Sequence, residues 1–150
     1  MNGRLIALGE IIHDALLEYR HKTRTSAFTS NLMGACAIAS GLFVVEAKRK
    51  HNLDIEFMVS HNHAWTEYRG AIYDITATQF GNFDKVFYCP KKAVADLTNW
   101  HRNNYRVSNS DIIYRDINDV NHGWPEDQRP ANYRLKWINQ YKARVIFDLE

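Results

Sequence analysis

The sequence predicts an α+β domain in which N-terminal helices pack on an antiparallel β-sheet. Two observations support this class. Apolar residues recur at helical spacing in two segments before residue 51, whereas from residue 55 the apolar repeat shortens to two, as in half-buried strands. Residues 62–77 also have a hairpin pattern, with two strand segments joined at Arg69-Gly70.

The first helix is predicted over residues 4–20. Its apolar side chains fall on one stripe, formed by Leu5, Leu8, Ile12, Ala15, Leu16 and Tyr19. The next segment, TRTSAFTSN, is polar and rich in turn-forming residues, so it is expected to end the helix.

The second helix is predicted from near Gly34 to about Lys50. Its apolar repeat consists of Ala35, Ile38, Ala39, Leu42 and Phe43. Residues 29–31, Thr-Ser-Asn, are good helix-capping residues, and the cluster Lys-Arg-Lys at 48–50 suits the last turn, where cations complement the helix dipole. Cys36 is therefore expected in the first turn of this helix.

The later segments are shorter and are separated by turn-forming residues. Period-two patterns and proline positions predict strands at 55–59, 62–68, 71–77, 85–89 and 111–117, a helix over 91–102, a loop over 118–133, and a helix followed by a strand over 134–147.

Length and composition predict a single soluble domain, residues 1–150. The chain is 45% hydrophobic and 24% charged, and a net charge of +2 is too small to indicate a nucleic-acid partner. The sequence contains no run of about 18 apolar residues, so no membrane span is expected. Polar residues interrupt the N-terminal apolar pattern, so no signal peptide is expected either. Cys36 and Cys89 are then expected to be free thiols in the cytoplasm of a bacterium or of a cell hosting a phage.

The predicted hairpin brings His63 close to Asp74. If Arg69-Gly70 is a two-residue loop, Tyr68 pairs with Ala71, and His63 and Asp74 become diagonal neighbours on one face of the sheet. A slip of one residue would move Asp74 to the opposite face.

An imidazole held by a carboxylate is what a cysteine nucleophile requires. The carboxylate fixes the tautomer of the ring and stabilises the imidazolium, which in turn stabilises a neighbouring thiolate. A thiol in the first turn of a helix also lies near free main-chain N–H groups, which favour negative sulfur and could receive an oxyanion. Cys36, His63 and Asp74 are therefore candidates for one catalytic site.

The motifs GACAIASGLFVVEAKRK, HAWTEYRG and YDITATQFG follow one another in the chain. A cysteine at a helix start, a HAW strand and an aspartate on the next strand resemble the transglutaminase-like branch of the papain-like cysteine enzymes. The H-x-W-x-E and D-x-T-x-x-Q-F motifs look like those of small bacterial members. The resemblance covers about residues 30–88 and implies a papain-like, transglutaminase-like core.

The resemblance implies cysteine-dependent acyl chemistry on an amide of a protein or peptide, without a metal or organic cofactor. Cys36 would be the nucleophile, His63 the general base and acid, and Asp74 the residue that orients the ring. Hydrolysis by a peptidase or deamidase is favoured over transglutaminase-type transfer, because a short chain leaves little room for a second substrate tunnel.

Three further residues are candidates for substrate or oxyanion contacts. Asn31 is the nearest amide side chain before Cys36, and papain-like proteases often place a glutamine oxyanion donor in that position. Trp65 is expected to pack over the site. Gln79, inside the D-x-T-x-x-Q-F motif, is expected either to brace the loop or to line the cleft.

Two other functions remain open at this point. A non-catalytic protein-binding module on the same fold would hold its partner with aromatic side chains, for which the candidates are Trp100, Tyr105, Trp124, Tyr133 and Trp137. A zinc protein would use His61 and His63 with Cys36 or His51, although no C-x-x-C or H-E-x-x-H spacing accompanies them. Thiol reactivity of Cys36 distinguishes the first alternative from an enzyme, and elemental analysis tests the second.

Overall fold

The computed structural model of the protein describes residues 1–23, 36–59, 63–98, 102, 105 and 113–114. Helices α1 (Gly3–Thr23) and α2 (Cys36–His51) precede strands β1 (Glu56–Val59), β2 (Ala64–Tyr68), β3 (Ala71–Asp74), β4 (Phe87–Pro90) and β5 (Ile113–Tyr114). The strands form one sheet in the order β4-β3-β2-β1-β5, and every neighbouring pair is antiparallel. The predicted α+β class is confirmed.

The hairpin between β2 and β3 has the predicted register. Tyr68 pairs with Ala71, and Thr66 pairs with Tyr73. Arg69 and Gly70 both have positive φ, 48° and 73°, which is the backbone of a type I′ turn. This turn matches the twist of the two strands, and it fixes which side chains of β2 and β3 share a face.

Apolar clusters cover both faces of the sheet. Side chains that alternate along the strands, such as Phe57 with Met58 and Ala64 with Trp65, divide between the two clusters. The larger cluster lies between the sheet and the two helices, with buried Leu5, Leu8, Ile12, Leu42 and Phe43. The second cluster contains Trp65 and Tyr105, and the side chains of Ala93, Val94 and Leu97 pack against it. Neither helix in the described part of the chain is both long and apolar enough to cross a membrane.

The segment after β4 differs from the prediction of an α-helix over residues 91–102. A 3₁₀ helix spans Lys91–Asp96 and ends at Leu97, whose backbone is extended, with ψ of 157°. Val94 and Leu97 both pack against the second apolar cluster. Tertiary packing thus overrides the α-helix propensity of this segment. A continued α-helix is not compatible with the extended backbone at Leu97. The predicted loop over 118–133 and the predicted helix and strand over 134–147 lie outside the described residues.

Gly9 on α1 is required by close packing. A Cβ atom at this position would lie 2.6 Å from a methyl group of Val86 and 2.9 Å from a methyl group of Ile75. Gly9→Ala is therefore expected to be less stable than Gly3→Ala by about 1–3 kcal/mol, the usual cost of overpacking a core. Gly3→Ala is the matched control, because a Cβ at Gly3 on the same helix meets nothing within 4 Å. Equal urea midpoints for the two variants would contradict this prediction.

Candidate active site

Cys36 is the first residue of α2, and its side chain is half-buried. One turn later, the hydroxyl of Ser40 donates a hydrogen bond to the main-chain carbonyl of Ala64 on β2, at 3.2 Å. The main-chain N–H of Ala64 lowers the pKa of the Cys36 thiol. The Ser40 hydrogen bond therefore holds the first turns of α2 against β2.

His63 immediately precedes β2, and only 3% of its surface is exposed. Its Nε2 lies 2.6 Å from Oδ2 of Asp74, and the Cys36 thiol is near enough to the ring to raise its pKa. A carboxylate only accepts hydrogen bonds, so Nε2 carries a proton. Both Asp74 and Cys36 thus act on the imidazole.

Asp74 is the last residue of β3 and is completely buried. Oδ2 accepts from His63 and from the Tyr105 hydroxyl, the latter at 2.8 Å. Oδ1 accepts from the main-chain N–H of Thr76 at 2.8 Å and from its hydroxyl at 3.1 Å. The bond to the N–H two residues on forms an Asx turn, which ends the strand at Asp74 and corrects the prediction of a strand over residues 71–77.

Aromatic rings surround the imidazole. Phe80 meets it edge-on, with ring centroids 4.7 Å apart, and Tyr105 does so at 5.7 Å. Trp65 lies nearly parallel to it at 5.9 Å. These rings limit the access of water to the His63–Asp74 pair, which strengthens its electrostatic interaction.

Burial and mutual contact shift the pKa values of Cys36, His63 and Asp74 in opposite directions. Burial alone would raise the pKa of the Cys36 thiol, but the contact with His63 outweighs it, and this pKa is lowered. Burial would lower the pKa of His63, but the charge and hydrogen bond of Asp74, together with Cys36, raise it to about 9. Burial would raise the pKa of Asp74, yet the charge of His63 holds it below its ordinary value.

All three shifts are towards the charged forms, which are a thiolate, an imidazolium and a carboxylate. The thiolate form of cysteine is the nucleophile, and the N-terminus of α2 adds a favourable dipole at the sulfur. The imidazolium can deliver a proton to a group that leaves from a carbon bonded to the sulfur. The arrangement is therefore suited to nucleophilic attack followed by proton transfer.

The other predicted residues have different positions. Asn31 and His61 lie outside the described residues. Gln79 donates to the hydroxyl of Thr76 at 3.2 Å, so it braces the Asx turn that holds Asp74. Trp65 is fully buried, and its indole N–H donates to Glu67 at 3.1 Å, so it packs behind the imidazole and does not offer a surface to a substrate. Within the described ranges, no group of three or more His, Cys, Asp or Glu side chains could hold a metal ion.

Three residues of the site were not among the predicted site residues. Ser40 lies four positions after Cys36, and this spacing places both on one face of a helix, which is a signal in the sequence. Thr76 follows Asp74 by two positions, as the second partner of an Asx turn does. Tyr105 follows Asp74 by 31 positions, and no local pattern connects them.

The described site brings His63 and Asp74 together, and Cys36 acts on the imidazole from α2. Comparison of the chain with protein-family models, with curated proteins and with solved structures gave no match.

Proposed function

We propose that the protein is a cysteine-dependent enzyme of the transglutaminase-like type, with a papain-like core, that performs acyl chemistry on an amide of a protein or peptide. The observation that supports this proposal is a buried imidazole that lies 2.6 Å from a carboxylate, together with a thiol at the start of α2 that is near enough to act on the pKa of the imidazole. This combination provides a nucleophile, a proton donor and a residue that orients the donor.

The roles follow from the contacts. The Cys36 thiolate forms a bond to the carbonyl carbon, and the carbonyl π electrons move to oxygen. When the tetrahedral species collapses, the C–N bond breaks, and the amine leaves with the proton that the His63 imidazolium gives up. The acyl group is then a thioester of Cys36, and His63 is a neutral base.

The second half of the reaction reverses these proton movements. His63 removes a proton from water or from an amine, the resulting nucleophile attacks the thioester, and the Cys36 thiolate leaves. Asp74 keeps the ring oriented and stabilises the imidazolium in both halves. Attack by water gives hydrolysis, and attack by an amine gives transfer. We propose hydrolysis as the principal outcome, and the two are separated by whether an added amine such as cadaverine is incorporated into the acyl product.

The acyl-enzyme itself provides a test that needs no knowledge of the natural substrate. On incubation with p-nitrophenyl acetate, we expect intact-mass and peptide mass spectrometry to find an acetyl group on Cys36, with continued release of p-nitrophenol as the thioester is hydrolysed. Cys36→Ala should abolish the modification, and His63→Gln should reduce p-nitrophenol release by at least about a hundredfold, as loss of a general base usually does.

Cys89 serves as the internal control in the same experiment. It is buried, and burial raises the pKa of its thiol. A denatured fraction would acetylate both cysteines, whereas the proposed site acetylates only Cys36. Equal labelling of the two thiols, or full biological activity of Cys36→Ala, would reject the enzyme and favour a protein-binding module on the same fold.

A further inference from the structure

Tyr105 contacts the candidate site from a part of the chain that the proposed mechanism does not use. Its hydroxyl donates to Oδ2 of Asp74 at 2.8 Å, and this same oxygen accepts from His63 at 2.6 Å. Its ring meets the His63 ring edge-on and stacks on Phe87, with centroids 5.8 Å apart. Two donors thus share one carboxylate oxygen in a buried position.

The Tyr105 hydroxyl can only donate in this contact. Burial, followed by the charge of Asp74, strongly raises the pKa of the phenol, so it stays neutral throughout the usable pH range. The ionised carboxylate only accepts. Any negative charge that Oδ2 shares with the phenol is less available to the imidazole, because both donors compete for the same lone-pair density.

We propose that Tyr105 is a positioning residue of the site, whose hydroxyl takes part of the Asp74 charge and so prevents His63 from holding its proton too tightly. The proposal rests on the proposed function, in which His63 must surrender this proton to a leaving amine. A general acid is most effective when its pKa lies near the working pH. His63 already has a pKa of about 9, so a stronger carboxylate partner would make it a poorer acid.

The ionisable groups around the pair are few among the described residues. Asp74 from β3 and Cys36 from α2 act on His63. Asp74 and Cys89 from β4 act on Tyr105. The effect of the Tyr105 hydroxyl on His63 can therefore be isolated by removing a single oxygen atom.

Tyr105→Phe removes only that oxygen and keeps the ring. The measurement is the titration of the His63 imidazole, followed by NMR of the ring carbon and proton in histidine-labelled protein, with the signal assigned by its loss in His63→Gln. We expect the midpoint in Tyr105→Phe to rise by about half to one pH unit, because Asp74 then gives its full charge to the imidazolium. Incorporation of 3-fluorotyrosine at position 105 makes the phenol a stronger donor and should move the midpoint down.

Tyr73→Phe is the matched control. Tyr73 is also a buried tyrosine of this sheet, and its hydroxyl accepts from the main-chain N–H of Asn2 at 2.9 Å. The titration midpoint of His63 in Tyr73→Phe should equal that in the wild type. An unchanged midpoint in Tyr105→Phe, a downward shift in that variant, or the same upward shift in Tyr73→Phe would overturn the proposal. If Tyr105→Phe does not fold, the protein with 3-fluorotyrosine at position 105 provides the test. An unchanged or raised His63 midpoint in that protein would also overturn the proposal.

The titration uses no substrate, so its result is independent of acyl transfer. A raised midpoint together with failure to acetylate Cys36 would show that the coupling of Tyr105 to His63 exists while the proposed enzyme function is wrong. An unchanged midpoint together with acetylation of Cys36 would leave the enzyme in place and remove Tyr105 from it.

Discussion

Asp74→Ala is expected to lower the free energy of unfolding by about 3–5 kcal/mol, the usual effect of removing one partner from a buried ion pair. The residue is completely buried, and four hydrogen bonds end on its two oxygens. Alanine would leave the donors of His63, Thr76 and Tyr105 without this acceptor, and each unsatisfied buried donor costs about 1–3 kcal/mol. Since small domains are stable by only about 5–15 kcal/mol, the variant should be close to unfolding at 37 °C.

The stability lost in Asp74→Ala should depend on pH, and this dependence follows from the pKa shifts of Asp74 and His63. Asp74 has a lowered pKa, so its contribution is complete above the ordinary value of 3.8 and is lost as the pH falls through the value in the folded protein. His63 has a raised pKa, so its contribution is complete below the ordinary value of 6.5 and is lost as the pH rises through about 9. Urea unfolding at pH 5 should therefore show the largest difference between Asp74→Ala and the wild type, and the difference should shrink towards pH 3 and pH 10.

Asp14→Ala is the matched control. Asp14 also forms an ion pair, with Lys85 at 2.8 Å, but both side chains are more than half exposed. An exposed pair contributes about 0–1 kcal/mol, so this variant should unfold close to the wild type. If Asp74→Ala were no less stable than Asp14→Ala at pH 5, the buried pair would have no net stabilising role. Asp74→Asn, which keeps the shape and one acceptor oxygen, should lose less stability and still lose the reactivity of Cys36.

Alkylation of Cys36 at pH 6 is expected to be at least about tenfold faster than that of an ordinary thiol. A cysteine with a pKa of about 8.5 is only about 0.3% ionised at this pH, and each unit by which contacts lower the pKa increases the thiolate fraction about tenfold. Part of the gain is offset because a less basic thiolate is a weaker nucleophile. The rate is measured with iodoacetamide and peptide mass spectrometry, with a short cysteine peptide of ordinary pKa as the reference thiol.

The charge of the reagent distinguishes a thiolate–imidazolium pair from a thiol that is merely exposed. Iodoacetate is an anion, so it is attracted while His63 is protonated, and its rate should fall as the pH rises through about 9. Neutral iodoacetamide should show no such fall. His63→Gln should remove the difference between the reagents and slow both at pH 6. Equal pH profiles for the two reagents on the wild type would contradict the ion pair.

The hairpin and helix α2 could be predicted because their signals are local. Arg69-Gly70 fixes the register of β2 against β3, and the register alone places His63 beside Asp74. The position of Cys36 near a helix start could be expected from the apolar repeat of α2. In each case a short stretch of sequence determines the geometry.

The remaining features depend on contacts between distant parts of the chain. Tyr105 joins Asp74 across 31 positions, and a tyrosine there is equally compatible with simple core packing. The 3₁₀ helix Lys91–Asp96 has the composition of an α-helix, and its shape depends on where the second apolar cluster lies. Ser40 and Thr76 are intermediate cases, because their spacing from Cys36 and Asp74 is informative once the catalytic candidates are known.

The hydrogen bond between Ser40 and the main chain of Ala64 affects how substitutions can change this part of the molecule. The Ser40 hydroxyl bonds to the main-chain carbonyl of Ala64, not to a side chain. Substitution of the side chain at position 64 leaves this acceptor in place, since every residue type has a main-chain carbonyl. Sequence change at this position can therefore alter the bulk of the apolar interior while the link between α2 and β2 remains.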